Sequence, residues 1–139
     1  METPSFNKIL DLQHPSGTFS LTLSMRGSQA CLALIGKLDA ATTAFVETEL
    51  MKVLDGKPTE LIFDLGGLRY VTSIGYRLFL IATRDQRAAG GTVSYIHVQP
   101  QIQDVFSIMG SLTDMHIFAS IDELDQYLLR RQANILRGE

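Results

Sequence analysis

Leu61-Ile62-Phe63-Asp64-Leu65 is apolar at every position but one. A half-exposed strand alternates polar and apolar residues, so a short run without alternation calls for a strand covered on both faces, at the centre of a sheet flanked by helices. Gly66-Gly67 then reads as a break. Around this strand the chain divides into short periodic segments. Leu21, Leu23 and Met25 alternate with Thr22, Ser24 and Arg26, the period of a half-buried strand. Gly27-Ser28 punctuates, and residues 30–38 form a second strand, so the pair makes a hairpin. Phe45, Val46, Leu50, Val53 and Leu54 recur at helical spacing over 42–54, ahead of the stop Asp55-Gly56-Lys57-Pro58.

Beyond the apolar run, a helix is expected from Thr72-Ser73 to Ala89, ended by Gly90-Gly91. Residues 92–98, rich in β-branched and aromatic side chains, read as a strand. Pro100 suits the first turn of a helix over 101–109, ended by Gly110, because proline lacks a donor that would be unpaired there. Residues 115–118 form a last short strand, and Ser120-Ile121-Asp122-Glu123 is a capping box opening a helix to about Gln132. The order β-β-α-β-α-β-α-β-α describes an α/β chain: a mainly parallel or mixed sheet covered by about four helices. With 139 residues the chain holds one domain with a real core. Residues 18–130 are expected to form it. Residues 1–17 are an extension in which Phe6, Ile9, Leu10 and Leu12 suggest a short docking segment before the turn His14-Pro15-Ser16-Gly17, and 131–139 a frayed tail.

Composition narrows the function classes. Hydrophobic residues make up 45% and charged residues 19%, as in soluble globular proteins, and the net charge of -3 argues against nucleic acid as the principal partner. The start lacks a signal-peptide pattern and no window approaches the ~18 apolar residues of a membrane helix, so a cytoplasmic chain with no membrane partner is expected. The single cysteine, Cys31, excludes an intramolecular disulfide and a multi-cysteine metal site, and within an apolar run it reads as a buried, inert thiol. His14, His97 and His116 are widely spaced, and no Walker loop, G-x-S-x-G or G-x-G-x-x-G occurs. Asp39 and Asp64 stand at strand ends, where α/β enzymes often place carboxylates, but without a base, a metal set or a cofactor motif beside them they support no catalytic residue. Neither an enzyme nor a cofactor or metal is expected.

Tyr70-Val71-Thr72-Ser73-Ile74-Gly75-Tyr76-Arg77 puts two hydroxyls where a strand hands over to a helix. Thr72 or Ser73 can serve as an N-cap, accepting a bond from an orphan amide. The same place suits a phosphoryl group, which the free amides and the positive helix end would face. A helical wheel at 100° per residue turns Ile74, Leu78, Ile81 and Ala82 to one side as core. Ser73, Tyr76, Arg77, Leu80, Arg84 and Arg87 lie on the other, and a leucine among tyrosine and arginine has the make-up of a docking face. The alternative is a solvated face with one stray leucine.

The run from Leu61 to Gly75 resembles, without gaps, the central signature of the STAS domain: apolar strand, D/N-L, spacer, then Asp-Ser-Ser/Thr-Gly. Leu34-Ile35-Gly36-Lys37-Leu38-Asp39 looks like the family's L-x-G-x-L-D. Gly90-Gly91, Pro100, Val105-Phe106 and Met109-Gly110-Ser111-Leu112 match later landmarks in order, so the likeness spans residues 19–129. It implies a STAS-like fold, a mixed sheet of four to five strands with helices mainly on one face. It further implies the role of the bacterial anti-sigma factor antagonists: a serine opening the second helix is phosphorylated by a partner anti-sigma factor that is a serine kinase and restored by a phosphatase, and the unphosphorylated form binds the kinase and frees a sigma factor. That serine corresponds to Ser73, with Thr72 as second choice, and Thr72, Tyr76, Arg77, Leu80 and Arg84 would face the partner. The chain departs from the pattern at Thr72 (Asp in the family), Ile74 (a hydroxyl residue) and Tyr76-Arg77 (Leu-Gly). A phosphorylation-independent STAS scaffold or adaptor in a signalling or transporter complex is the alternative, and self-association as a homodimer is left open.

Overall fold

A computed structural model describes residues 5–108 and 116–136. The chain runs β1 (Asn7–Gln13), β2 (Phe19–Arg26), β3 (Gln29–Leu38), α1 (Ala40–Asp55), β4 (Glu60–Val71), α2 (Ser73–Ala88), β5 (Thr92–Ile96), α3 (Pro100–Ile108), β6 (Ile117–Phe118) and α4 (Ile121–Leu136). The six strands form one sheet in sequence order. β1, β2 and β3 pair antiparallel, and β3 to β6 pair parallel through helical crossovers. The expected α/β class and mixed sheet are present, with one strand more than anticipated. The extra strand is β1, which lies inside the stretch read as an extension. Leu10 and Leu12 sit opposite Leu23 and Leu21, and a bulge between Lys8 and Leu10 leaves Ile9 60% exposed. That bulge, with Asn7, Lys8, Asp11 and Gln13 around it, erases the alternation that would have marked a strand.

The sheet separates two apolar clusters. On one face Leu21, Leu32, Leu34, Leu61, Phe63, Leu65, Val93 and Tyr95 pack with Val46 and Leu50 of α1, Leu78, Phe79 and Ala82 of α2, and Ile102 and Phe106 of α3. On the other, Ile62 and Ile96 pack with Leu124 of α4, flanked by Phe6, Cys31, Phe118, Ile121 and Leu128. Burial on that side pushes the Cys31 thiol up to about 12, with the charge of Asp64 adding to the effect. The thiol therefore stays protonated and inert.

β4 does not stop at Gly66-Gly67 as expected. Its register against β3 slips twice, between Ala33 and Ile35 and between Gly36 and Lys37, and each slip adds one residue to β4. Leu61, Phe63 and Leu65 face the three-helix layer at a spacing of two; Leu68 and Val71 reach the same face at a spacing of three. The bulges hide the strand period and carry the chain to the mouth of α2. Gly67 is required there, since a Cβ would lie 2.8 Å from Ile35 Cγ1.

The helix starts follow capping chemistry. Asp39 caps α1: its carboxylate accepts the Thr42 amide at 3.1 Å, and the Thr42 hydroxyl accepts the Asp39 amide at 2.9 Å. Ser120 Oγ accepts the Glu123 amide at 3.2 Å, while the Glu123 carboxylate returns to the Ala119 amide at 3.1 Å. α4 continues to Leu136, into the stretch expected to fray. β5 ends at Ile96 rather than Val98 because His97 adopts a left-handed backbone, φ 56°. The expected helix end and landmark at Met109-Gly110-Ser111-Leu112, and the strand start at Met115, lie outside the described residues. No helix among the described residues is long and apolar enough to cross a membrane.

Candidate functional site at the start of the second helix

Thr72 leaves β4 with an extended backbone, φ -87° and ψ 171°, and is the N-cap of α2. Its hydroxyl accepts the Gly75 amide at 3.2 Å and donates to the Leu38 carbonyl at 3.2 Å, while its amide donates to the same carbonyl at 3.0 Å. Of the two candidate hydroxyls, Thr72 is therefore engaged on both sides. Ser73 is the first helical residue, exposed, and its hydroxyl has no hydrogen bond among the described residues. The chain can approach so closely because residue 75 is glycine: a Cβ there would lie 2.7 Å from the Leu38 carbonyl oxygen. The end of β3 and the start of α2 are thus in contact, with Ser73 outside the contact.

Exposed cations stand on the ends of β3 and β4 and on α2. The first turn of α2 has no acidic residue. Lys37 lies opposite Tyr70 across β3 and β4, and Lys37, Arg69, Tyr70 and Arg77 are all exposed. None of those three cations has an ion-pair partner among the described residues. Asp39, the carboxylate following Leu38, is held below the usual carboxylate range by the Thr42 amide and then the Thr42 hydroxyl, so it stays ionised and committed to its cap. Amides at a helix N-terminus whose first turn holds no acidic residue favour an anion. Lys37, Arg69 and Tyr70 were not singled out from sequence, because the bulges that turn Arg69 and Tyr70 outward leave no period to read.

The orientation of α2 corrects the wheel. Its buried side carries Gly75, Tyr76, Leu78, Phe79, Ala82, Thr83 and Gln86. Measured at 100° per residue, this side is turned by about 90° from the expected one. Ile74 and Ile81, expected in the core, are 53% and 38% exposed. Tyr76, expected on the partner-facing side, is 1% exposed and packs tilted against Phe106, with ring centroids 5.5 Å apart and its hydroxyl unpartnered among the described residues. The cause is the ring cluster of Phe63, Phe79, Tyr95 and Phe106, which turns Phe79 to the sheet and Tyr76 toward α3. Arg77, Leu80 (39% exposed) and Arg84 remain on the outer side, and Arg84 pairs with Asp85 at 3.2 Å.

The remaining motif residues serve the backbone. Asp64 Oδ1 accepts the Gly66 amide at 3.1 Å and lies 3.0 Å from His97 Nδ1, bracing the point where β4 parts from β5. Asp39 and Asp64 are thus each occupied locally. Among the described residues no group of three or more His, Cys, Asp or Glu side chains is arranged to hold a metal.

Comparison with known proteins identifies the frame around this site. The family model described as the STAS domain matches residues 22–124. BtrV of Bordetella bronchiseptica, provisionally named an anti-sigma factor antagonist, is 28% identical over 93 residues, covering 67% of this chain and 80% of that protein. An anti-sigma factor antagonist from Mycobacterium paratuberculosis superposes with a TM-score of 0.70 at 15% identity, over 80% of this chain and 93% of that one. Bacillus SpoIIAA, an anti-sigma factor antagonist, superposes in its unphosphorylated form with a TM-score of 0.67 at 21% identity, over 77% of this chain and 95% of that one. With the family model covering most of its length, the chain belongs to the STAS domain family.

Proposed function

We propose that this protein is an anti-sigma factor antagonist whose docking helix is α2 and whose switch is phosphorylation of Ser73 by its partner, an anti-sigma factor acting as a serine kinase. The observation that carries the reading is the division of labour between neighbouring hydroxyls. Thr72 is consumed by the cap, whereas Ser73 is exposed, unbonded among the described residues and at a helix mouth whose first turn holds no acidic residue. Unphosphorylated, the outer side of α2 offers Arg77 and Leu80 to the partner, with Arg84 further along. A phosphoryl group adds about -1.5 to -2 charge next to the helix mouth. Arg77 stands one turn away, at the i+4 position, and would turn to the new phosphate instead of a partner carboxylate. The partner then leaves, and a phosphatase resets the site. Bacillus SpoIIAA, which shares the fold, is known in unphosphorylated and phosphorylated forms. The cytoplasm is the compartment in which such an exchange takes place.

The test is to incubate the full chain with its cognate kinase and ATP and map the modified peptide. Label on Ser73, with Ser73→Asp losing kinase binding at least tenfold, supports the switch; absence of label, or label outside Thr72-Ser73, ends it. The exposed Ile74 beside Ser73, where the family carries a hydroxyl residue, favours a second reading: a STAS scaffold that docks without modification. In that case Ser73→Ala and Ser73→Asp bind as the parent does, and Leu80→Asp does not bind.

A further inference from the structure

Between α1 and α2 runs a groove walled by Glu47 and Met51 on one side and by Ile74, Arg77 and Ile81 on the other. Met51, Ile74 and Ile81 are 63%, 53% and 38% exposed. Three large apolar side chains along one groove exceed the scattered singles that any protein surface carries. The groove also holds two charges without ion-pair partners among the described residues, the Arg77 guanidinium on the α2 wall and the Glu47 carboxylate on the α1 wall. Asp85, at the far end, is engaged by Arg84 at 3.2 Å. Because β3 and β4 are parallel, α1 and α2, which follow them, run in the same direction.

We propose that a second copy of this chain covers the groove, related by a two-fold axis running along it. Such an axis lays α1 of each copy over α2 of the other. Arg77 of one protomer then meets the partner's Glu47, the pair occurs twice by symmetry, and the exposed apolar side chains of both copies are buried between. An axis across the groove would instead set α1 on α1 and α2 on α2, so that neither Arg77 nor Glu47 meets its opposite charge on the other copy. An unrelated occupant would have to supply a carboxylate and a cation in the right places; a second copy carries both. The dimer has a consequence for the switch. It covers Arg77 and the Ile74 flank of Ser73, so self-association and kinase docking compete for one side chain. That consequence rests on the docking face proposed above, whereas the dimer does not.

Sedimentation equilibrium of the full chain tests it, with circular dichroism verifying that each variant folds. The expected result is a reversible dimer in which Arg77→Glu and Glu47→Lys each raise the dissociation constant about tenfold or more, while the double variant Glu47→Lys/Arg77→Glu returns toward the parent value. Leu80→Asp, on the flank away from α1, leaves self-association unchanged. A chain that is monomeric at a concentration of about 200 µM, far above what a standard interface needs, overturns the proposal. So does a double variant that associates no better than the single ones. If the charge swap restores the dimer but Ser73 is never labelled, the switch fails and the dimer stands.

Discussion

On the side of the sheet covered by α1, α2 and α3, the rings of Phe63, Phe79, Tyr95 and Phe106 pack with centroids between 5.1 and 5.7 Å apart. Even the Tyr95 hydroxyl is taken up there, 3.2 Å from Thr83 Oγ1. On the α4 side the buried apolar cluster among the described residues is Ile62, Ile96 and Leu124, and much of the attachment is polar. Arg26 forks onto Asp125 of α4 at 2.7 and 3.3 Å, reaches Gln29 at 2.8 Å and lies 4.4 Å under the Phe6 ring. Gln29 in turn donates to Glu60, which also receives the Ser94 hydroxyl at 3.1 Å. One sheet thus has a side held mainly by packing and a side where ion pairs and hydrogen bonds share the attachment with a smaller apolar cluster. The helix that carries Ser73 belongs to the first, seated through Leu78, Phe79 and Ala82.

Three measurements sharpen or break that contrast. Phe79→Ala removes the ring at the centre of the aromatic cluster and is expected to cost about 3–5 kcal/mol in denaturant unfolding, with no salt dependence. A loss near 1 kcal/mol would mean that the cluster is not what seats α2. Arg26→Ala strands Asp125 and is expected to cost about 2 kcal/mol, less than for a fully buried pair because both side chains keep some solvent contact. Its cost should shrink as salt is added, and a salt-independent cost would assign Arg26 a packing role. The smallest effect is Glu60→Gln. Burial raises the Glu60 carboxyl above its ordinary range, against the pull of Gln29 and Ser94. Between its unfolded and folded pKa the native state therefore holds more protons than the unfolded state, and stability falls as pH rises through that window, by at most about 1.4 kcal/mol per unit. Glu60→Gln should flatten this part of the pH profile; an unchanged profile would remove Glu60 from the polar side's pH response.

Most of the element order could be read before the structure, because strand period, caps and turn glycines are local signals. The hairpin of β2 and β3, the start of α2 at Thr72-Ser73 and the Ser120 cap lie where those signals put them. What escaped was non-local. β1 shows no alternation because its bulge and its polar residues break it, and the second half of β4 was hidden by two bulges that change its spacing from two to three. Within the candidate site the hydroxyls could be found from sequence, but not which of them the cap would consume. Nor could the roll of α2 be found: apolar residues at 74, 78, 79, 80 and 81 surround that helix, and the ring cluster across the sheet decides which go inside. Tyr76 was misassigned for that reason.

The Leu38 carbonyl takes both donors of Thr72, and the next residue, Asp39, holds the opening amide of the first helix. One peptide unit is thereby the common hinge pin of two helix mouths. The amide protons of Thr42 and Thr43, held by the Asp39 side chain and carbonyl, therefore report through their rates of exchange with solvent on the peptide unit that anchors both helix starts.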